Sequence, residues 1–277
     1  MQKFKMTVLA LLATWTVGCI SVDSVVKVKA DGTGTIEQTM LINGSAMGMM
    51  SMMGGEQGAA DKAAPKIDPA TIFSNEKLAA EAANLGEGVS FVSSTPVTQG
   101  QMKGVKAIYA FKDFNTLKVS TALPDLNEGS TEMKGKGQPL PMTLTRKGGN
   151  SIITLDMLDQ LKKGAGAGAA ADAPAKPADS EMPKEMMAML APMFKDMRVA
   201  ISLEPQGTLV RTNATHVQGQ RITLFDVAFG EIFADPAGIE KLEKLGNNPS
   251  LDQVRTALKG MKGIKINDVE KLEVEFK

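Results

Sequence analysis

The sequence predicts an α+β fold, an antiparallel sheet of about eight to ten strands with several helices packed against it. Three observations predict it. Stretches near both ends alternate at the period of a half-buried strand, with Val22, Val26 and Val28 set against Asp23, Lys27 and Lys29, and Leu272, Val274 and Phe276 against Glu273 and Glu275. Glycine- and asparagine-bearing turns such as Asp31-Gly32-Thr33-Gly34 and Lys147-Gly148-Gly149-Asn150 separate pairs of such stretches, as hairpins require. Elsewhere, apolar residues follow helical spacing, as in Met186, Met189, Leu190 and Met193, and Leu251, Val254 and Leu258.

Composition bounds what these elements can build. The 277 residues are 43% hydrophobic but only 4% aromatic, so the core must be made of Val, Leu, Ile, Met and Ala, with ten Phe carrying most of the large apolar area. There are 31 basic and 31 acidic residues; without Lys3 and Lys5 the balance becomes 29 against 31, a net of −2. No basic surplus marks a nucleic-acid-binding protein. One cysteine excludes an intrachain disulfide, so the fold must hold together by burial alone.

In chain order, residues 1–18 read as a lipoprotein signal peptide. Lys3 and Lys5 form a positive head, Met6 to Val17 a short apolar run, and Thr16-Val17-Gly18-Cys19 ends it with small residues and the single cysteine. The run is too short to span a bilayer, and no later run of 18 apolar residues follows. The segment resembles the lipobox of bacterial lipoproteins, with Thr16 where Leu is usual. That resemblance implies that Cys19 is acylated and becomes the mature N-terminus, tethering the protein to the membrane through its acyl chains. Ile20 and Ser21 lack the Asp that holds enterobacterial lipoproteins at the inner membrane. The expected location is therefore the cell envelope, the outer membrane in preference to the inner.

Residues 19–277 are read as one domain. Ser21–Ala30 and Thr35–Ile42 form its first hairpin, which places the first strand close to the membrane. Asn43 to Gly55 crowds Met47, Met49, Met50, Met52 and Met53 between glycines, and Gly58 to Lys66 is Ala-rich and polar. Phe73 and Leu78 have the spacing of a hydrophobic staple around a Ser74 cap, predicting a helix to about Leu85, stopped by Gly86. Val89–Ser94 and Gly104–Lys112 read as strands, the second partly buried on both faces. Leu123–Pro141 connects them to a hairpin of Met142–Arg146 and Ser151–Leu155. Residues 162–181 are rich in Gly, Ala and Pro, cannot bury enough area to offset their ordering entropy, and are expected to form a flexible insertion. Pro183–Met197 predicts a helix; Arg198–Glu204, Thr208–Asn213 and Gln220–Phe229 predict strands. Ser250 and Gln253 form a capping box for a helix, and Leu272–Phe276 closes the chain as a strand.

The residues that could carry chemistry are few. His216 is the only histidine, so a histidine triad or a metal site would lack its partners, and a surface turn is the expected role. Glu204, Asp226 and Glu231 do not stand out among the carboxylates as an acid–base pair. The 19 methionines do stand out. Met47, Met49, Met50, Met52 and Met53, with Met186, Met189 and Met193, suit an adaptable apolar groove. Thioethers also select Cu(I), which makes a copper-handling protein the alternative.

Val26-Lys27-Val28-Lys29-Ala30-Asp31-Gly32-Thr33-Gly34, then the Ser74–Leu85 helix, then strands running into Phe111-Lys112-Asp113-Phe114, together resemble the periplasmic domain of LppM-type bacterial lipoproteins. The likeness covers the first half of the mature chain. It implies an α+β fold likened to lipid-binding proteins, and no residue roles. The expectation is a non-catalytic envelope lipoprotein that binds a lipid or other apolar partner, or acts as a scaffold, with no metal and no cofactor. Copper handling comes second and an enzyme third.

Overall fold

The computed structural model describes residues 20–43, 72–120, 139–157, 195–243, 251–267 and 269–277. Strands β1 (Ile20–Lys29) and β2 (Gly34–Asn43) form the first hairpin, closed where Asp31 Oδ1 accepts from the Thr33 amide at 2.9 Å and Gly32 takes a positive φ. Helix α1 (Asn75–Leu85) starts at Ser74, whose Oγ accepts from the Lys77 amide, and buries Leu78, Ala82 and Leu85, with Phe73 buried as the staple requires. Strands β3 (Ser90–Gln99) and β4 (Met102–Phe111) follow as a hairpin turned at Gly100, longer than the sequence reading gave. Next come β5 (Met142–Lys147) and β6 (Asn150–Asp156), joined through Gly148 and Gly149, both at positive φ. The chain continues with β7 (Arg198–Gln206), β8 (Leu209–Thr212), β9 (Val217–Gln218) and β10 (Arg221–Ala228). Short helices α2 (Phe229–Phe233), α3 (Pro236–Glu243) and α4 (Leu251–Leu258) precede β11 (Ile264–Ile266) and β12 (Lys271–Phe276).

These strands make two sheets. The larger has eight strands in the order β11-β10-β7-β1-β2-β4-β3, with β9 paired to β10; the smaller has four in the order β5-β6-β12-β8. Val22, Val26 and Val28 of β1, Ile36, Met40 and Ile42 of β2, and Tyr109 and Phe111 of β4 share one core with Ile153 and Leu155 of β6 and Leu272, Val274 and Phe276 of β12. Burying each large apolar side chain stabilises by about 1.5–3 kcal/mol. The sheet residues of this core therefore outweigh the three that α1 buries.

The α+β expectation, one antiparallel sheet with helices packed against it, is thus overturned. The fold is dominated by two sheets with few helices among the described residues. The physical reason lies in the cover that the large sheet's inner face needs. α1 spans 11 residues, about 16 Å at helical rise, and cannot cover eight strands. The alternating strands β6 and β12 supply a second apolar face, and that face contributes to the same core. Nor is the large sheet wholly antiparallel. β7 runs parallel to β1, Ser21 opposite Arg198 through Lys29 opposite Gln206. Periodicity cannot reveal such a pairing, because a strand's pattern carries no direction. Strands from both sides of residues 158–194 pair within each sheet; the expected insertion at 162–181 lies outside the described residues.

Gly104 shows how closely β4 approaches β2. A Cβ there would run into the carbonyl oxygen of Met40, a backbone atom that no side-chain rotation can move. Gly104→Ala is expected to destabilise the fold by about 3 kcal/mol, the upper end for overpacking. Urea unfolding measures it, and a loss near zero would mean that β2 shifts freely.

Candidate functional site

Cys19, Met47, Met49, Met50, Met52, Met53, Met186, Met189 and Met193 all lie outside the described residues. The structure does show where their flanking strands end. Asn43, the last residue of β2, donates from Nδ2 to Asp196 Oδ2 at 3.0 Å, just ahead of β7. Ile20 pairs with Ile42, and Ser21 with both Leu41 and Arg198. The chain positions leading to Cys19 and to both methionine clusters thus leave the large sheet at one end, from three adjacent strands.

Within the described residues the most unusual chemistry lies on the inner face of that sheet. Tyr109 is the only tyrosine in the chain and is fully buried, yet its hydroxyl has no hydrogen-bond partner. Gln38 Oε1 is likewise buried and unpartnered. β2 pairs with β4 so that Ile36 lies opposite Tyr109 and Gln38 opposite Ala107, which makes Gln38 and Tyr109 diagonal neighbours on one face, their backbones about 7–8 Å apart. Gln38 is flanked across the sheet by two short side chains, Ser24 and Ala107, both buried. The Tyr109 ring is held edge-on by Phe91, with centroids 5.8 Å apart. Burial, and then the nearby negative charge of Glu81 on α1, push the phenol far above its ordinary value, so it remains a neutral donor. A donor and an acceptor, both removed from water, therefore stand unmatched on neighbouring strands of one face. Each such group costs about 1–3 kcal/mol while unmatched.

The outer face of the same sheet is an array of ion pairs. Glu37 bridges Lys27 and Lys106 at 2.6 Å each, and Arg221 reaches Asp23 at 3.0 Å. Asp226, with a side chain 8% exposed, takes two bonds from Arg198, 2.8 Å from Nε and 2.9 Å from Nη2, and one from Lys265 at 3.3 Å. Burial alone would raise Asp226, but the Arg198 hydrogen bonds and charge, with Lys265, outweigh it and hold the carboxyl below its usual range. Every Asp226 oxygen is matched to a cation, which marks a structural anchor.

Of the remaining candidates only Glu231 approaches that cluster, its charge acting on Arg198. His216 sits in the turn ahead of β9, where its carbonyl accepts from the Thr223 amide. Glu204, at the far end of β7 from Arg198, does not share the Asp226 cluster. Among the described residues no three His, Cys, Asp or Glu side chains gather as metal ligands would. Sequence reasoning missed Tyr109 and Gln38. The signal for Gln38 was present: it occupies the core phase of β2, between Ile36 and Met40, where an apolar residue belongs.

Neither a protein-family model nor a curated protein matches the chain. Among solved structures it is similar to the NMR structure of the folded domain of Mycobacterium tuberculosis LppM, with 10% sequence identity and a TM-score of 0.32. The resemblance is distant. It spans 94% of this chain and 90% of that one, and it fixes no residue equivalences.

Proposed function

We propose that this protein is a non-catalytic, lipid-anchored bacterial envelope protein that holds a lipid or other apolar ligand, bearing a hydroxyl-type polar group, against the inner face of the large sheet. The observation that carries this reading is the unmatched pair on adjacent strands, Tyr109 Oη and Gln38 Oε1. A hydroxyl accepts from the tyrosine and donates to the glutamine carbonyl, which matches both at once. The surroundings, Ile36, Met40, Val105 and Ala107, offer such a ligand apolar contact, with the buried Ser24 a further polar residue beside Gln38. A buried water has the same hydrogen-bond capacity, so the experiment must separate the two.

Native mass spectrometry of protein beginning at Ile20 makes that separation. The reading expects a retained mass of several hundred daltons, lost or weakened at least tenfold in Tyr109→Phe, as fits the loss of one buried hydrogen bond worth about 1.4 kcal/mol. An unliganded mass for the wild-type protein beginning at Ile20, exported to the periplasm and purified without detergent, would leave water as the occupant and refute the ligand.

A further inference from the structure

We propose that the end of the large sheet bearing Ile20, Asn43, Gln101 and Lys195 is a membrane-docking surface whose partner is the phospholipid headgroup layer, and that the protein stands on the bilayer in one fixed orientation. The proposal rests on the reading of Cys19 as the acylated residue. β1 begins at Ile20, the residue immediately after Cys19. Consecutive α-carbons are about 3.8 Å apart, so no linker separates the anchor from the sheet. A flexible linker would give a reach growing as the square root of its length and would let the domain tumble.

β1 is also a poor pivot. It is an interior strand, paired with β2 from Ile20 to Val28 and with β7 from Ser21 to Lys29, and Ile20 itself is buried. An anchor on an interior strand fixes the direction of the whole sheet. The neighbouring strand ends come down beside it: Asn43 pairs with Met102, and Ala228 with Arg198. The exposed side chains at this end include Lys103, Lys195 and Lys262, none of which has a salt bridge to a described residue, together with Gln101 in the β3–β4 turn. The anions here are Asp196, which is bonded to Asn43, Glu231 on α2, and Asp235 ahead of α3, whose carboxylate accepts from the Ala237 amide. Three uncommitted ammonium groups facing headgroup phosphates suit a bilayer surface. The opposite end lies about 30 Å away along β1. There the Arg146 guanidinium bonds the Ala30 carbonyl and the β5–β6 hairpin carries Lys147.

The test uses the full, lipidated chain in vesicles of mixed phosphatidylethanolamine and phosphatidylglycerol. Acylation consumes the only native thiol, so Gln101→Cys and Lys147→Cys each supply one site for an environment-sensitive fluorophore. With a nitroxide quencher on the lipid headgroups, the label at residue 101 is expected to be quenched at least threefold more than the label at 147. Equal quenching in protein recovered with the vesicles would overturn the fixed orientation. Protein that fails to float with the vesicles would instead overturn the anchor reading beneath it. Combining Lys103→Glu, Lys195→Glu and Lys262→Glu is expected to shrink the difference between labels by half or more. An unchanged difference would remove the lysines from the docking surface.

Discussion

Replacing Cys19 with serine is expected to move the protein from the membrane fraction to the soluble fraction. The expected effect is close to all-or-none, because acyl burial contributes about 0.8 kcal/mol per CH₂ and two long chains hold far more strongly than any surface contact. Among the described residues no helix is long and apolar enough to cross a membrane. Lysines at the end of the sheet bearing Ile20 act within a Debye length of about 8–10 Å and are screened by salt. Fractionation with a high-salt wash therefore isolates the contribution of the acyl chains. Serine variant that stayed in the washed pellet would mean that another part of the chain holds the membrane.

Replacing Arg198 with methionine is expected to cost about 1–2 kcal/mol, less than breaking a fully buried ion pair, since Arg198 is half exposed and Lys265 remains beside Asp226. Asp226→Asn should cost less, about 1 kcal/mol, because Arg198 and Lys265 are each about half exposed (side chains 48% and 56%) and can return to water. The pH dependence separates the two explanations of the loss. In the wild-type protein Asp226 is held below its ordinary 3.8, so its contribution is present above that pH and disappears as pH falls through the lower folded value. Without Arg198 the same carboxyl is desolvated with weaker compensation and its pKa rises. The penalty in Arg198→Met should then be greatest at neutral pH and shrink as acid protonates the carboxyl. Urea unfolding at neutral pH and at about pH 4 measures the difference. A penalty independent of pH would mean that Arg198 stabilises β7 by packing its methylenes alone.

Much of the strand layout was legible because alternation is a local signal. β1, β2, β6, β10 and β12 stand where their valines, isoleucines and leucines alternate with charged or polar residues, and the two hairpin turns stand where glycine could supply positive φ. The Ser74 cap and the Phe73–Leu78 staple placed the start of α1, and Gly86 its approximate end. The second sheet was not legible. β6 and β12 are separated by over a hundred residues and look alike whether they face a helix or another sheet. The parallel pairing of β7 with β1 is long-range in the same way.

The candidate site was legible only as a contradiction. Gln38 breaks the apolar phase of β2, and Tyr109 stands where phenylalanine would bury the same ring without a stranded hydroxyl. Each residue looks ordinary within its own strand. Only the β2–β4 register brings the two together, and only the covering layer removes them from water.

The stability of Tyr109→Phe, measured with and without bound lipid, tests the central claim most directly. In protein stripped of lipid by detergent exchange or organic extraction and refolding, removal of an unmatched buried hydroxyl should stabilise the variant over wild type by about 1–3 kcal/mol. In protein as isolated from the envelope that advantage should shrink by about 1.4 kcal/mol or more, because the ligand binds the tyrosine form more tightly and adds its binding free energy to the folded state. A difference between variant and wild type that is the same in both preparations would contradict the account.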